Sequence, residues 1–432
     1  MDPFPVWMRD PCIGTGRRLV KVVDAVVNSM PPRKRLSVLT LCFEFPPLGG
    51  GGSKVARGLA SMLARRGHEV DLVTTRGRGL AAHERIDGFD VWRVPAVRTR
   101  PDVSSAFELA TYVLPSLYRA MRLCRARRYD VVHAHFILPD GVVAWIMRLV
   151  TGRRYIVTAH GSDVPGFNPD RFHLAHRLMG PLWRRIVRDA DAIICPSPWL
   201  RQLLHRQTAQ AATLVVPNGF DPERFRVDDP SSKTVDLLCV SRLLERKGLQ
   251  HILAAAARLE RPPRIHVVGD GPYAAELRAK AEALPLDVTF HGWLDNDSVE
   301  LERLFRRCGI FALPSSSENF PVSLLEAMSS SMAIITTADS GCQDVVGDAA
   351  LLTAYGDVDQ LADALGRLVG DEKERFRLAT AARRRLVDHF SWDAVARQYV
   401  DVYRTHPADP GPADASLETA RAARGRAGLT VR

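Results

Sequence analysis

The chain reads as an α/β protein built from two doubly wound parallel-sheet domains that face a central cleft. Three observations predict it. At 432 residues the chain exceeds what one ordinary core holds and suits two domains of about 200 residues each. Short apolar runs alternate with helix-period segments along most of its length, as strands and helices do in βαβ units. The turns that follow several of these runs carry glycine, histidine or paired cations, at the carboxyl ends of strands where such folds place their ligands.

Apolar residues make up 46% and charged ones 25%, the balance of an ordinary folded globular protein. The net charge of +10 implies an anionic partner: nucleic acid, a phospholipid surface or a phosphorylated substrate. With neither an RNA-binding aromatic signature nor zinc-finger spacing in the sequence, no nucleic-acid partner is expected. The seven cysteines, Cys12, Cys42, Cys124, Cys195, Cys239, Cys308 and Cys342, are an odd set without a Cys-x-x-Cys pair. That is the pattern of a reducing compartment, with Cys42, Cys195 and Cys239 placed in apolar runs as small hydrophobes. No run of 18 apolar residues occurs, and the nearest, residues 141–150, is broken by Arg148. The N-terminal segment carries Asp10 and Asp24 without a signal-peptide core, so a cytoplasmic location is expected.

Taken in order, residues 1–34 have mixed composition and are expected to be a poorly ordered extension, although residues 17–30 also fit a short amphipathic helix. The first domain, residues 35–230, opens with a strand at 36–42, then Pro46-Pro-Leu-Gly49-Gly-Gly-Gly52-Ser-Lys54, a helix to Arg66 and a strand at 69–75. A glycine loop at a helix N-terminus lets an anion approach bare backbone. A strand at 89–94, a helix over 104–125, Tyr129-Asp-Val-Val-His133-Ala-His135, a helix from Asp140 and a strand ending at His160 continue the alternation. His160 stands at a strand's carboxyl end, where it either hydrogen-bonds a ligand or is a satisfied half-buried imidazole. His133 and His135 face one side of their strand and read as mainly structural.

Arginines gather at Arg119, Arg122, Arg125, Arg127, Arg128, Arg153, Arg154, Arg184, Arg185 and Arg188. They are solvated helix faces or an interfacial surface on which Trp183 dips into anionic lipid. Strands at 192–195 and 213–216 close the domain, and residues 228–233 read as a linker.

The second domain, residues 231–390, starts with a strand at 235–240 that ends in Ser241-Arg242-Leu-Leu-Glu-Arg-Lys247-Gly248. Arg242 as a fork and Lys247 as a point charge could clamp a diphosphate. Strands at 264–268 and 288–291 follow, the second leading to Trp293, which is either a nucleotide-site or a core residue. An apolar strand at 310–313 then runs into Pro314-Ser-Ser-Ser-Glu318-Asn319-Phe320-Pro321-Val322-Ser-Leu-Leu-Glu326-Ala-Met. Pro321 suits a first helical position, and the backbone from Asn319 to Ser323 suits a phosphate. Two helical glutamates eight residues apart would be separated by about 12 Å, at about 1.5 Å per residue. That exceeds the roughly 5 to 9.5 Å of a glycosidase pair. They are either two acceptors gripping hydroxyls on either side of an anion, or a surface glutamate and a salt-bridged one. A serine cap at Ser391 opens a helix with an apolar stripe to residue 405, and residues 406–432, rich in proline, alanine and arginine, read as a disordered tail.

The Pro314–Met328 stretch resembles the two-glutamate motif of the retaining GT-B glycosyltransferases, the family 4, group 1 type. Thr158-Ala-His160-Gly, the glycine loop and the Arg242/Lys247 pair are similar to that family's motifs in the same order, and the likeness spans residues 35–405. It implies a GT-B fold of two Rossmann-like domains, the first on the acceptor side and the second holding a nucleotide sugar, such as a UDP- or GDP-sugar. Residues 391–405 resemble the helix that crosses back to the first domain. The resemblance gives His160 and Glu318 contacts with the donor sugar, Glu326 the ribose, and Arg242 and Lys247 the phosphates, with Gly50, Gly51, Asn319, Phe320, Pro321 and Val322 around the donor. It also implies no cofactor and no metal, and a carbohydrate or lipid-linked acceptor in polysaccharide or glycolipid synthesis, with peripheral contact to an anionic membrane. Asp189-Ala-Asp191 mimics a sugar-transferase metal motif but precedes a strand of the first domain. Ser329–Ser331 replace the family's usual glycine and proline, and Asn319 a frequent glycine. A GT-B-like epimerase and a non-catalytic nucleotide-sugar-binding scaffold are the alternatives.

Overall fold

The computed structural model describes residues 35–100, 104–167, 173–227, 229–338 and 340–405. The expectations for residues 1–34 and 406–432 lie outside them. Contacts divide the chain into Met1–Leu36 and Ser37–Arg432, and the fold is that of the second unit.

Among the described residues fourteen strands form two sheets. The first contains β1 (Ser37–Leu41), β2 (Glu69–Thr75), β3 (His83–Ile86), β4 (Phe89–Val94), β5 (Val131–His135), β6 (Tyr155–Thr158), β7 (Ala192–Cys195) and β8 (Thr213–Val215). Its order is β3-β4-β2-β1-β5-β6-β7-β8. All neighbours are parallel except β3, which runs antiparallel to β4 at the edge, an addition to the all-parallel sheet expected. The second sheet contains β9 (Thr234–Val240), β10 (Ile265–Val268), β11 (Val288–Gly292), β12 (Cys308–Leu313), β13 (Ala333–Thr337) and β14 (Leu351–Thr353), in the order β11-β10-β9-β12-β13-β14. Both sheets reverse their winding beside the first strand, between β1 and β5 and between β9 and β12. Such switch points open a crevice at the strands' carboxyl ends. The glycine loop and the loops carrying Lys247 and Glu318 leave the sheets there.

Alternation along the strands builds a core on each face. In the second sheet Leu237, Cys239, Ile310 and Ala312 join one buried cluster, while their neighbours Leu238, Phe311 and Leu313 join the other. Strands covered by helices on both sides therefore read as continuous apolar runs.

The chain passes between the sheets twice, and the two passages are paired. Phe220 N donates to Phe390 O (2.8 Å) and Trp392 N to Phe220 O (3.2 Å). The helix Trp392–Arg404 then lies on the first sheet, where Tyr403 Oη meets His133 Nδ1 at 2.8 Å. Trp392 is wedged between two glycines: a Cβ on Gly58 would lie 2.1 Å from its ring, and one on Gly219 2.2 Å. Only a hydrogen at both positions leaves room for the indole. Trp392→Ala is expected to cost about 3 kcal/mol through the void it leaves, and urea denaturation checks it; a loss below a third of that would mean the crossing is held elsewhere.

Candidate active site

The helix Val322–Ser329 begins where the β12 loop ends, with Pro321 as its N-cap (φ −69°, ψ 123°) and not its first helical residue, as the sequence suggested. Glu318 therefore lies in the loop and Glu326 on the helix, so the 12 Å helical separation does not describe the pair. The loop is stitched to the one after β9: Ser316 N donates to Arg246 O (2.9 Å), and Arg246 Nη1 to Ser317 O (3.1 Å). Gly248, at φ 75°, would drive a Cβ to within 2.2 Å of Pro314 O, so the two loops meet only because that residue is glycine. Their contact sets Lys247 Nζ against the buried carboxylate of Glu318.

The neighbouring residues are held from both domains. Asn319 Oδ1 accepts from Ser197 Oγ at 3.0 Å, and Phe320 packs against Phe390 with ring centres 5.3 Å apart. Glu326 is buried and faces Lys54 Nζ at 3.4 Å, which also donates to Asn296 Oδ1 at 2.7 Å. Lys54 comes from the helix Gly51–Arg65 of the first domain, so this contact spans the cleft. A Cβ on Gly51 would stand 3.7 Å from Val322. That helix has Gly50 as N-cap with no side-chain cap, and its first-turn amides are donors of the kind that hold anions. The Gly50 amide itself donates to Glu44 Oε2 at 3.3 Å.

His160 Nε2 lies 3.1 Å from His135 Nδ1, and its ring stands 4.4 Å from that of Phe136. Its backbone N–H donates to Asp163 Oδ1 (3.0 Å), while Asp163 Oδ2 accepts from Ile137 N (2.7 Å), fixing the β6 turn against the β5 turn. Behind it, His133 bonds Thr158 Oγ1 (2.8 Å) as well as Tyr403. The histidine pair read as structural thus reaches from the crossing helix to His160.

Burial pushes the His160 and His133 imidazoles down to about 3 and His135 well below its ordinary range. His160 is therefore neutral near pH 7, a hydrogen-bonding group and not a cation. In the unfolded chain each histidine titrates near 6.5, so below that pH the unfolded state takes up more protons and stability falls. Asp163 has the opposite sign, because burial raises it from 3.8 to about 6 and its contribution is lost as the pH rises through that value. Asp140, whose carboxyl burial also raises well above its ordinary range, has the same sign as Asp163. Three histidines outweigh the two aspartates, so Tm is expected to be lower at pH 5 than at pH 7.5. Calorimetry at the two values is the check, and a Tm that rises on acidification would contradict the buried neutral network.

Two cavities adjoin in the cleft. The smaller, about 270 Å³, is lined by Lys54, Arg242, Lys247, Gly269, Asn296 and Glu326, with Trp293 at its wall. Trp293 is 61% exposed, which excludes the core reading. The larger, about 670 Å³, is lined by Gly50, Gly51, His160, Glu318, Asn319 and Phe320 and by apolar residues of the first domain. Gly51, Glu318, Pro321 and Val322 border both. Each donor-site candidate named from the sequence therefore lines one cavity or the other. Lys54 and Asn296 were not singled out, since their partners are remote in sequence, and nothing in the sequence signals that Glu44 meets the Gly50 amide.

Trp183, Asp189 and Asp191 lie outside both cavities. Trp183 is buried, with Nε1 donating to Asp163 O at 2.8 Å, so it cannot dip into lipid. Asp189 and Asp191 serve packing: Asp189 accepts from Trp145 (3.0 Å), and Asp191 from Arg148 (2.8 Å) and Tyr155 N (2.9 Å).

The model of Glycosyltransferase Family 4 matches residues 49–224, and that of Glycosyl transferases group 1 matches residues 221–385. The chain is a glycosyltransferase of the family 4, group 1 type. This glycosyltransferase is 27% identical over 398 residues to the D-inositol 3-phosphate glycosyltransferase of Corynebacterium urealyticum, a match covering 84% of this chain and 93% of the relative. Among solved structures it superposes on sucrose-phosphate synthase from Thermosynechococcus elongatus with a TM-score of 0.71 at 24% identity, covering 86% and 98% of the two chains. Anabaena HepE in complex with UDP-glucose gives a TM-score of 0.67 at 18% identity, covering 85% and 99%. The fold is GT-B, with the two sheets as its two domains.

Proposed function

We propose that this glycosyltransferase moves a sugar, with retention of anomeric configuration, from a UDP- or GDP-sugar to an acceptor hydroxyl in cell-envelope polysaccharide or glycolipid synthesis at the cytoplasmic face of the membrane. The observation that carries it is the junction of the two cavities at Glu318. On one side lie Arg242, Lys247 and Lys54 for a nucleoside diphosphate; on the other, His160 and the first domain for an acceptor. The UDP-glucose bound to the Anabaena neighbour supports a nucleotide sugar as donor.

In this reading the bond broken joins the anomeric carbon to a diphosphate oxygen, and the bond formed joins that carbon to the acceptor oxygen. The acceptor proton passes to the leaving phosphate on the same face. Lys247, Arg242 and the amides at the start of Gly51–Arg65 stabilise the leaving charge, and no further cofactor or metal is called upon. Glu318, His160 and Asn319 orient the sugar, and Glu326 accepts from the ribose. Closure of the domains over the donor would keep out water.

Membrane contact has a surface to support it. Phe107, Leu114 and Tyr118 are 69%, 74% and 63% exposed, and with Arg125 they fall along one face of the helix Ala106–Ala126. Among the described residues no helix is long and apolar enough to cross a membrane. Donor turnover across a panel of nucleotide sugars, with the product anomer read by proton NMR, tests the proposal. Release or transfer of the donor's own anomer supports it, and inversion or no turnover of any nucleotide sugar would overturn it.

A further inference from the structure

The larger cavity is much roomier than a single sugar contact requires, and its chemistry changes away from Glu318. Near the donor it is polar, with His160, Ser162 and Asn319. Its lining also carries Leu109, Ala110 and Val113 of the helix Ala106–Ala126, with Leu138, Val142 and Leu178, the last of them 71% exposed. Among the described residues no lysine or arginine lines it, and its carboxylates are already engaged, Glu44 with Arg98, Glu318 with Lys247 and Asp163 with the Ile137 and His160 amides. No cationic side chain on this lining is therefore placed to hold an anionic acceptor. At about 670 Å³ it has the size of a pocket that encloses a drug-sized apolar ligand. Leu109, Ala110 and Val113 share their helix with Phe107, Leu114 and Tyr118, which face solvent. An aliphatic chain leaving the cavity would therefore run onto an apolar surface.

Resting on the donor reading above, we infer that the acceptor of this glycosyltransferase carries an aliphatic aglycone that seats between Val113 and Val142 while its sugar hydroxyl reaches the junction at Glu318. A phosphorylated, water-soluble acceptor does not fit this wall. The name of the Corynebacterium relative points to such an acceptor for that protein, so the two are expected to differ.

The test is calorimetric titration of the full chain with methyl, butyl, hexyl and octyl β-D-glucopyranoside, each below its micelle-forming concentration, with and without UDP or GDP. Kd is expected to fall by up to about fourfold per methylene, the conversion of about 0.8 kcal/mol for a buried CH₂. Val113→Asp should flatten the series, and Leu109→Asn, a milder change, should reduce its slope, while both variants bind the nucleotide as the unchanged protein does. A Kd that does not vary with chain length, a slope that survives both substitutions, or tighter binding of glucose 6-phosphate than of the octyl glucoside would overturn the inference. Failure to bind either nucleotide would sink the donor reading, and the alkyl series without nucleotide would still decide the aglycone.

Discussion

Lys247→Ala is expected to lower kcat/KM about a thousandfold with the fold intact, the upper end of what loss of one preorganised charge costs, about 2.7–4 kcal/mol. Lys247 stands between the Glu318 carboxylate and the smaller cavity, so it is fixed before any donor arrives. Fixed charge needs no reorganisation as the diphosphate leaves, and this is why the effect should fall on kcat more than on KM. Alanine also leaves Glu318 buried without its cation. Lys247→Arg should recover part of the activity, because the charge returns without the same point geometry. Steady-state kinetics of the two variants decide it, and an alanine variant within tenfold of the parent would remove Lys247 from the reaction.

The second large effect is expected at a residue with no chemistry of its own. Gly341 donates its N–H to Glu318 O at 2.8 Å, and a Cβ there would lie 1.7 Å from Asn319 O and 2.7 Å from Glu318 O. Backbone atoms cannot swing aside as a flexible side chain does, so Gly341→Ala must push the Glu318–Asn319 loop away from Lys247 and Ser197. A displacement of about 1 Å at a reacting centre costs on the order of 100-fold. The strain itself should destabilise the fold by about 1–3 kcal/mol, as overpacking does. Activity reduced by less than fivefold, at a temperature where the variant stays folded, would show that the loop position is not what Gly341 secures.

Much of this architecture is legible in the sequence because it rests on local rules. Strands covered on both faces read as apolar runs, and strand-to-helix turns mark themselves with glycine, histidine or paired cations. What is hidden is set by contacts far apart in the chain. The strand β3, His-Glu-Arg-Ile, carries no apolar alternation and exists because β4 offers it an edge. Trp183 lies among arginines in sequence, yet its carbonyl partner at Asp163 and the packing around it draw it inside. Trp293 follows a strand as a core tryptophan could, and only the fold turns it out onto the wall of the smaller cavity. Lys54 was visible in the glycine loop, but its partner Glu326 lies 272 residues away. Gly341 needed the backbone of another loop to show why no larger residue fits.

The measurement that bears most directly on the donor cleft is binding of a panel of UDP- and GDP-sugars to the unchanged protein and to the Lys247→Ala and Glu326→Ala variants, by titration calorimetry. The account predicts that one donor binds well, that Lys247→Ala weakens both the nucleotide sugar and the free nucleoside diphosphate, and that Glu326→Ala weakens them too through the lost ribose contact. Binding of no member of the panel, or equal binding by all three proteins, would contradict it.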